Sequence, residues 1–180
     1  MSKFLSAIVF RDGKIITAPE YTDSHKDLIR ANNLREDKSW IRVNFAPPDN
    51  GAFDVAEHYS LVANESNVPS WFDEEAQYAA AESLRQRVAA MIITEGEIAL
   101  LLGGCWIISG CAKIEKACKC RIVLMCDSSR VDAIHESSRI STMRDSSCVD
   151  CMWDSSQVGT MLGSSQVGTM LDSSRVGSMW

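Results

Sequence analysis

The stretch DSSQVGTMLGSSQVGTML, from Asp154 to Leu171, writes one nine-residue phrase twice. Outward from it, six consecutive units tile the chain from Asp127 onward without a gap: DSSRVDAIH, ESSRISTMR, DSSCVDCMW, DSSQVGTML, GSSQVGTML and DSSRVGSMW. Place five of each unit is β-branched: Val131, Ile140, Val149, Val158, Val167 and Val176. Place eight is Ile134, then Met143, Met152, Met161, Met170 and Met179. Places two and three are serine throughout. A preceding unit, CKCRIVLMC from Cys118 to Cys126, keeps Ile122 and Met125 but lacks the serines. Before it, Ile114 and Ala117 echo the pattern with a one-residue slip.

A helix would need apolar residues at 3.6-residue spacing. Gly159, Gly168 and Gly177 inside one would each cost about 1 kcal/mol. Disorder fits badly with two apolar places per unit in strict register. The repeat therefore predicts a parallel β-solenoid (β-helix). Nine residues cannot easily enclose a core, so two units, eighteen residues, are expected per coil. Neighbouring coils would lie about 4.8 Å apart. The twelve residues at places five and eight are the expected core. Each is worth about 1.5–3 kcal/mol when fully buried, before chain entropy is subtracted. The serines are expected at corners, where their hydroxyls satisfy turn amides. The predicted solenoid domain spans residues 106–180, with a lead-in coil over 106–126 and the six nonapeptides over 127–180.

Each coil of such an array buries its apolar edge only against a neighbour. The last unit closes the sequence at Trp180, and a bare final coil would show backbone and apolar side chains to water. Place nine also grows more apolar along the array: His135, Arg144, Trp153, Leu162, Leu171, Trp180. These features predict a homodimer joined through the C-terminal coils, with Trp153, Leu162, Leu171 and Trp180 as its contact residues. The competing arrangement has Trp180 folding over the end and capping it alone.

Residues 1–105 read as an α+β head domain. AIVFRDGKIITA, from Ala7 to Ala18, is a hairpin around Asp12-Gly13. Ser24 or Asp23 is placed to cap a short helix, and WIRVNFA (Trp40 to Ala46) and HYSLVANE (His58 to Glu65) read as strands. SWFDEEAQYAAAESLRQRVAAMI predicts a long helix capped by Ser70, with Trp71, Tyr78, Leu84 and Val88 on its buried side. Ile98 to Ile108 then reads as one buried strand leading into the solenoid.

The chain has 180 residues, 46% hydrophobic and 23% charged, with a net charge of −6 that lies entirely in residues 1–105. That half holds ten Lys/Arg against sixteen Asp/Glu, and no basic stripe of the kind nucleic-acid binding requires appears anywhere. Direct nucleic-acid binding is not expected. The start of the chain lacks the pattern of a signal peptide, and the longest apolar run falls short of the roughly 20 residues a membrane span needs. A cytoplasmic protein with no membrane partner is expected, its seven cysteines reduced.

Residues with chemical potential are few. Asp23 and His25, within TDSHKD (Thr22 to Asp27), place a carboxylate near an imidazole and are the candidates for a catalytic pair. Cys111, Cys118, Cys120 and Cys126 are not framed by paired CxxC motifs. Cys148 and Cys151 have CxxC spacing but occupy places four and seven of a repeat. On an alternating strand these would point to opposite sides, which favours small core side chains over a shared metal. No metal and no cofactor are expected.

The run of DSSRV, SSQVGTM and DSSRVGSMW units resembles the C-terminal SSQVxxM nonapeptide arrays of uncharacterised proteins encoded by bacteriophages and other mobile elements. FLSAIVFRDGKIITA, TDSHKDLI, VPSWFDEEA and LLGGCWI are similar to the front parts of such proteins. The resemblance implies an accessory protein in a bacterial host cell that binds a host or defence protein. It supplies no catalytic residues. The expected function is non-enzymatic inhibition of a host or defence complex, of the anti-CRISPR or anti-restriction type, by a solenoid-mediated dimer. One alternative is a small enzyme acting on a nucleotide or protein through the head. Another is a virion or scaffold component.

Overall fold

Asp12-Gly13 turns the chain as its sequence demands. The Asp12 carboxylate accepts the Lys14 amide at 3.0 Å, and Gly13 takes a φ of +82° that few side chains tolerate. The structure, a computed structural model, describes residues 5–17, 24–35, 38–48 and 53–180. The chain divides into two compact units, Met1–Ala89 and Ala90–Trp180.

The first unit holds a four-stranded antiparallel sheet ordered β2-β1-β3-β4, with β1 at Leu5–Phe10, β2 at Ile15–Thr17, β3 at Trp40–Ala46 and β4 at Ser60–Ala63. Helix α1 (His25–Ala31) follows Ser24, and its Leu28 packs with Ile8 and Trp40. Helix α2 (Glu74–Ala89) buries Ala80, Leu84 and Val88, while Tyr78 stays exposed. Its first turn is capped by Asp73, whose carboxylate accepts the Ala76 amide at 3.0 Å, and not by Ser70. A turn closed by Phe72 N–H on Pro69 O separates Ser70 from the helix.

The second unit is a parallel β-solenoid of eleven short strands. They are β5 (Ile92–Ile93), β6 (Glu97–Leu102), β7 (Cys105–Ile108), β8 (Lys113–Cys118), β9 (Arg121–Met125) and β10 (Arg130–His135). Then come β11 (Arg139–Met143), β12 (Cys148–Met152), β13 (Gln157–Met161), β14 (Gln166–Met170) and β15 (Arg175–Met179). Odd-numbered strands stack into one sheet, β5-β7-β9-β11-β13-β15, and even-numbered strands into the other, β6-β8-β10-β12-β14. Each coil contributes one strand to each sheet, for about five turns in all.

Register confirms eighteen residues per coil over the repeat region. Val131 pairs with Val149 and Val149 with Val167; Ile140 pairs with Val158 and Val158 with Val176. The slip read at Ile114 and Ala117 is present too, since they pair with Val131 and Ile134, seventeen residues on. Nearer the front the coil shortens further. Ile98 pairs with Ile114, sixteen residues on, and Ile92 with Ile107, fifteen residues on.

The solenoid therefore starts at Ile92, ahead of the expected boundary at residue 106, and the stretch 92–105 belongs to it rather than to the head. Ile98 to Ile108 is not one strand either. It is β6 and β7, in different sheets, parted by Gly103 and Gly104 at φ +66° and +78°. These early coils lack the paired serines of the repeat corners and close in fewer than eighteen residues, so no nine-residue period marks them in the sequence.

Within each repeat, places five and eight face the core, and places six and seven between them do not. Val131, Ile134, Ile140, Met143, Val149, Met152, Val158 and Met161 are all buried in one continuous cluster with Ile114, Ile122 and Met125. The last four members of the expected core differ. Val167 and Val176 are only half-buried against that cluster, and Met170 and Met179 are exposed. Their strands lie at the outer edge of each sheet, where no further coil covers them.

Candidate functional site

Place one of the repeat makes the corner. Asp127, Glu136, Asp145, Asp154 and Asp172 all adopt the left-handed backbone conformation, with φ of +57° to +59°. Asp tolerates that region better than bulky residues do, and glycine tolerates it best. Gly163, at φ +66°, holds the same place in the one unit that lacks an acid. The acids also tie coil to coil. Asp127 accepts the Gly110 amide at 2.9 Å, Asp145 the Asp127 amide at 3.4 Å, Asp154 the Glu136 amide at 2.9 Å and Asp172 the Asp154 amide at 3.2 Å.

Place three lies inside the corner and place two outside. Ser129 Oγ donates to Cys126 O at 2.7 Å and sits 3.3 Å from Ile108 O; Ser138 does the same with His135 O and Ala117 O, and Ser147 with Arg144 O and Met125 O. The expectation was that serines satisfy turn amides. They mainly donate to turn carbonyls, and one case, Cys120 N–H to Ser138 Oγ at 3.4 Å, runs the expected way.

Outside the core, the even sheet carries an ionic lattice: Lys113 lies 3.4 Å from Glu97 and 3.9 Å from Asp132, and Arg130 pairs with Asp132 at 2.9 Å and with Asp150. Such solvent-exposed pairs are screened by water and salt and contribute little to stability.

The distinctive surface is the open edge formed by β14 and β15. Met161 is 4% exposed, but Met170 is 42%, Met179 71% and Trp180 84% exposed. Trp180 does not fold back over the edge. The four residues expected at a contact surface do not form one patch. Trp153 and Leu171 bond back to Ile134 O and Met152 O on one corner; Leu162 and Trp180 bond back to Met143 O and Met161 O on the other. Trp153 also stacks on His135, with ring centroids 5.8 Å apart and planes 3° from parallel. Only Leu171 and Trp180 border the open edge itself. Place nine advances by half a coil per unit, so consecutive members fall on alternate corners. A linear reading of the repeat overlooks that.

In the first unit, His25 is buried with Nε2 2.8 Å from Val43 O, a contact that orients a ring within a fold. Asp23, its expected partner, lies outside the described residues. A cleft of about 650 Å³ is lined by Arg11, Lys38, Trp40, Glu65, Ser70 and Trp71 among others. Three of its polar side chains are engaged elsewhere in the fold. Glu65 is held by Arg42 at 2.9 Å, and the indole N–H groups of Trp40 and Trp71 donate to Arg35 O and Lys38 O. Among the described lining residues there is no imidazole or thiol beside the Ser70 hydroxyl.

The cysteines are all free. Cys118, Cys120 and Cys126 are core residues, whereas Cys148 and Cys151 are half-buried and flank the core residues Val149 and Met152. The alternation that would have put those two on opposite faces does not hold, because inward places are three apart. Among the described residues one group has metal-ligand proximity: Cys126, Asp127 and Asp145, with ligand atoms within 4.8 Å. Burial, and then the Asp127 charge, push the Cys126 thiol up to about 12, so it stays protonated near neutrality. Both carboxylates already accept backbone amides, and Arg144 Nε lies 3.3 Å from Asp145. These groups lock a corner.

The chain matches no protein-family model, no curated protein and no solved structure. Among the described residues no helix is long and apolar enough to cross a membrane.

Proposed function

We propose that the protein is a non-enzymatic binding protein, encoded by a bacteriophage or another mobile element. It acts in the bacterial cytoplasm as a solenoid-mediated homodimer that inhibits a host or defence complex. One observation carries the reading: the inward residues of the array are buried from Ile114 through Met161 and uncovered at the β14/β15 edge, where Met170 and Met179 are exposed beside Trp180. Apolar side chains beside unpaired strand backbone are a docking surface by composition. A dimer also presents two copies of the first unit, which multiplies the effective affinity for a repeating or paired target. The excess of acids in residues 1–105 suits a target with a basic, nucleic-acid-handling surface.

The test is phage plating on cells that carry a nucleic-acid-processing defence system. Expression of the full chain is expected to raise plaque numbers by orders of magnitude, and expression of the Met179→Glu, Trp180→Glu variant is expected to raise them far less. Plating unchanged by the full chain across restriction-type and RNA-guided defences would remove the inhibitor reading.

A further inference from the structure

Resting on the self-association reading above, the geometry points to one arrangement of the two copies. We infer that they join tail to tail about a twofold axis parallel to the strands, with β14 of each copy pairing antiparallel to β15 of the other. Four observations lead there.

The first is the shape of the edge. Strand β14 is hydrogen-bonded to β12 alone and β15 to β13 alone, so both sheets end in an open strand. The odd sheet ends half a coil beyond the even sheet, which makes a step. A twofold axis along the strands exchanges the two sheets, so the protruding β15 of each copy fills the recess above β14 of the other. A twofold axis perpendicular to the sheets would set β15 against β15 and leave a slot one strand wide, about 4.8 Å, between the two β14 strands.

The second is the burial pattern. In each repeat strand the inward residues are places five and eight, with two outward places between them. That in-out-out-in order reads the same in both directions. Antiparallel docking therefore keeps inward residues together: Val176 opposite Met170 of the other copy, and Met179 opposite Val167. The half-buried valines and exposed methionines of the last coil are then covered as their equivalents are upstream.

The third is the mismatch at the other end. Docking the open edge onto the front of another solenoid would join an eighteen-residue coil to coils of fifteen and sixteen residues, whose strands β5 and β6 have different corners. Only a tail matches a tail. The pairing is isologous and closes at two copies, where a head-to-tail contact would propagate into a filament.

The fourth is charge. Exposed edges in β proteins are commonly guarded by charged residues. The front edge strand β6 carries Glu97, although it also exposes Leu100 and Leu102, and β5 beside it in the other sheet has no charge. Strand β14, QVGTM, has no charge, and β15, RVGSM, has Arg175 alone. Under the inferred register Arg175 faces Leu171 of the other copy, so no like charges meet.

Light scattering on the full chain is expected to give twice the chain mass, independent of concentration once the dimer is saturated. The Met179→Glu, Trp180→Glu variant is expected to give the chain mass with an unchanged far-ultraviolet circular dichroism spectrum, since both side chains are exposed. Mixed with tagged wild type, that variant is expected not to co-purify, although its front edge is intact. Register is read by mild oxidation of mixed single-cysteine variants. Gln166→Cys with Trp180→Cys is expected to give a disulfide-linked heterodimer above the wild-type background, and Arg175→Cys with Trp180→Cys is not.

A monomeric full chain overturns both the self-association reading and this arrangement. A dimer that links through the second mixture, or through neither, overturns only the arrangement. A mass that keeps growing with concentration, or a tail variant captured by wild type, establishes head-to-tail stacking and overturns it as well.

Discussion

SSQVGTML stands twice in the chain, at residues 155–162 and 164–171, and the two copies live in opposite surroundings. In the first, Met161 is buried and β13 is clasped between β11 and β15. In the second, Met170 is open to solvent and β14 has one neighbour. Both copies form the same strand with the same residues paired eighteen back. Local sequence thus decides which side chains turn inward, while the neighbouring coil decides whether inward means buried. The free energy of a repeat resides in its interfaces.

That difference yields the largest expected effect. Met161→Ala is expected to lower the stability of the second unit by about 2–5 kcal/mol, the usual cost of emptying a filled core site. The matched change Met170→Ala is expected to cost less than about 1 kcal/mol, measured by denaturant titration in dilute, dissociated protein. Raising the concentration into the dimeric range sharpens the comparison, because Met170 then gains a cover and its substitution becomes more costly. Equal losses at the two sites in dissociated protein would break it.

A second contrast lies within one corner. Ser138 is buried, with Oγ 2.7 Å from His135 O and 3.3 Å from Ala117 O, while Ser137 beside it is exposed. Ser138→Ala leaves buried carbonyls without their hydroxyl donor and is expected to cost about 1–2 kcal/mol. Ser137→Ala is expected to change the melting temperature within error. Two serines that look equivalent in every repeat are thereby assigned different work.

These contrasts show how far the sequence was legible. The hairpin at Asp12-Gly13, strand β3 and the eighteen-residue coil all follow from turn chemistry and period, because each depends on residues close together in the chain or repeated without interruption. The front coils were illegible for the converse reason. Glu97 to Cys118 pairs at sixteen residues and without Ser-Ser corners, so its membership in the sheets rests on partners that no periodicity announces. The role of the place-one acids was half-visible. Their recurrence stands in the repeat units, but the backbone amides that Asp127, Asp145, Asp154 and Asp172 accept belong to the preceding coil, a contact defined only once the coil is closed. Cys148 and Cys151 were misplaced through the assumption of strict alternation, which these strands break by turning Val149 and Met152 inward three residues apart. The edge at β14 and β15, with Met170, Met179 and Trp180 exposed, lies within the stretch where a contact surface is expected. Its four named residues divide between two corners, since half a coil per unit is a three-dimensional fact.

The smallest effect concerns Cys126, which shares its corner column with Leu162 and Trp180 but is closed over by later coils. Burial and the neighbouring Asp127 charge raise its thiol from 9.0 to about 12, against the opposing pull of Arg144. In the unfolded chain the thiol loses its proton at the ordinary value, so between those two pH values the folded state holds more protons than the unfolded one. Stability that depends on this neutral thiol is complete below about pH 9 and is lost as pH rises toward 12. Cys148, raised for the same first cause and by its hydrogen bond to Asp150, adds in the same direction. Cys126→Ala is therefore expected to lower the melting temperature modestly at pH 7, through lost packing, and to flatten its decline between pH 9 and 11. Cys111→Ala, at an exposed position, is the control and is expected to leave that decline unchanged. Parallel alkaline declines in wild type and Cys126→Ala would mean that the corner tolerates a thiolate. The sealed interior would then be wetter at Cys126 than its burial implies, and the distinction between inner coils and open edge would narrow accordingly.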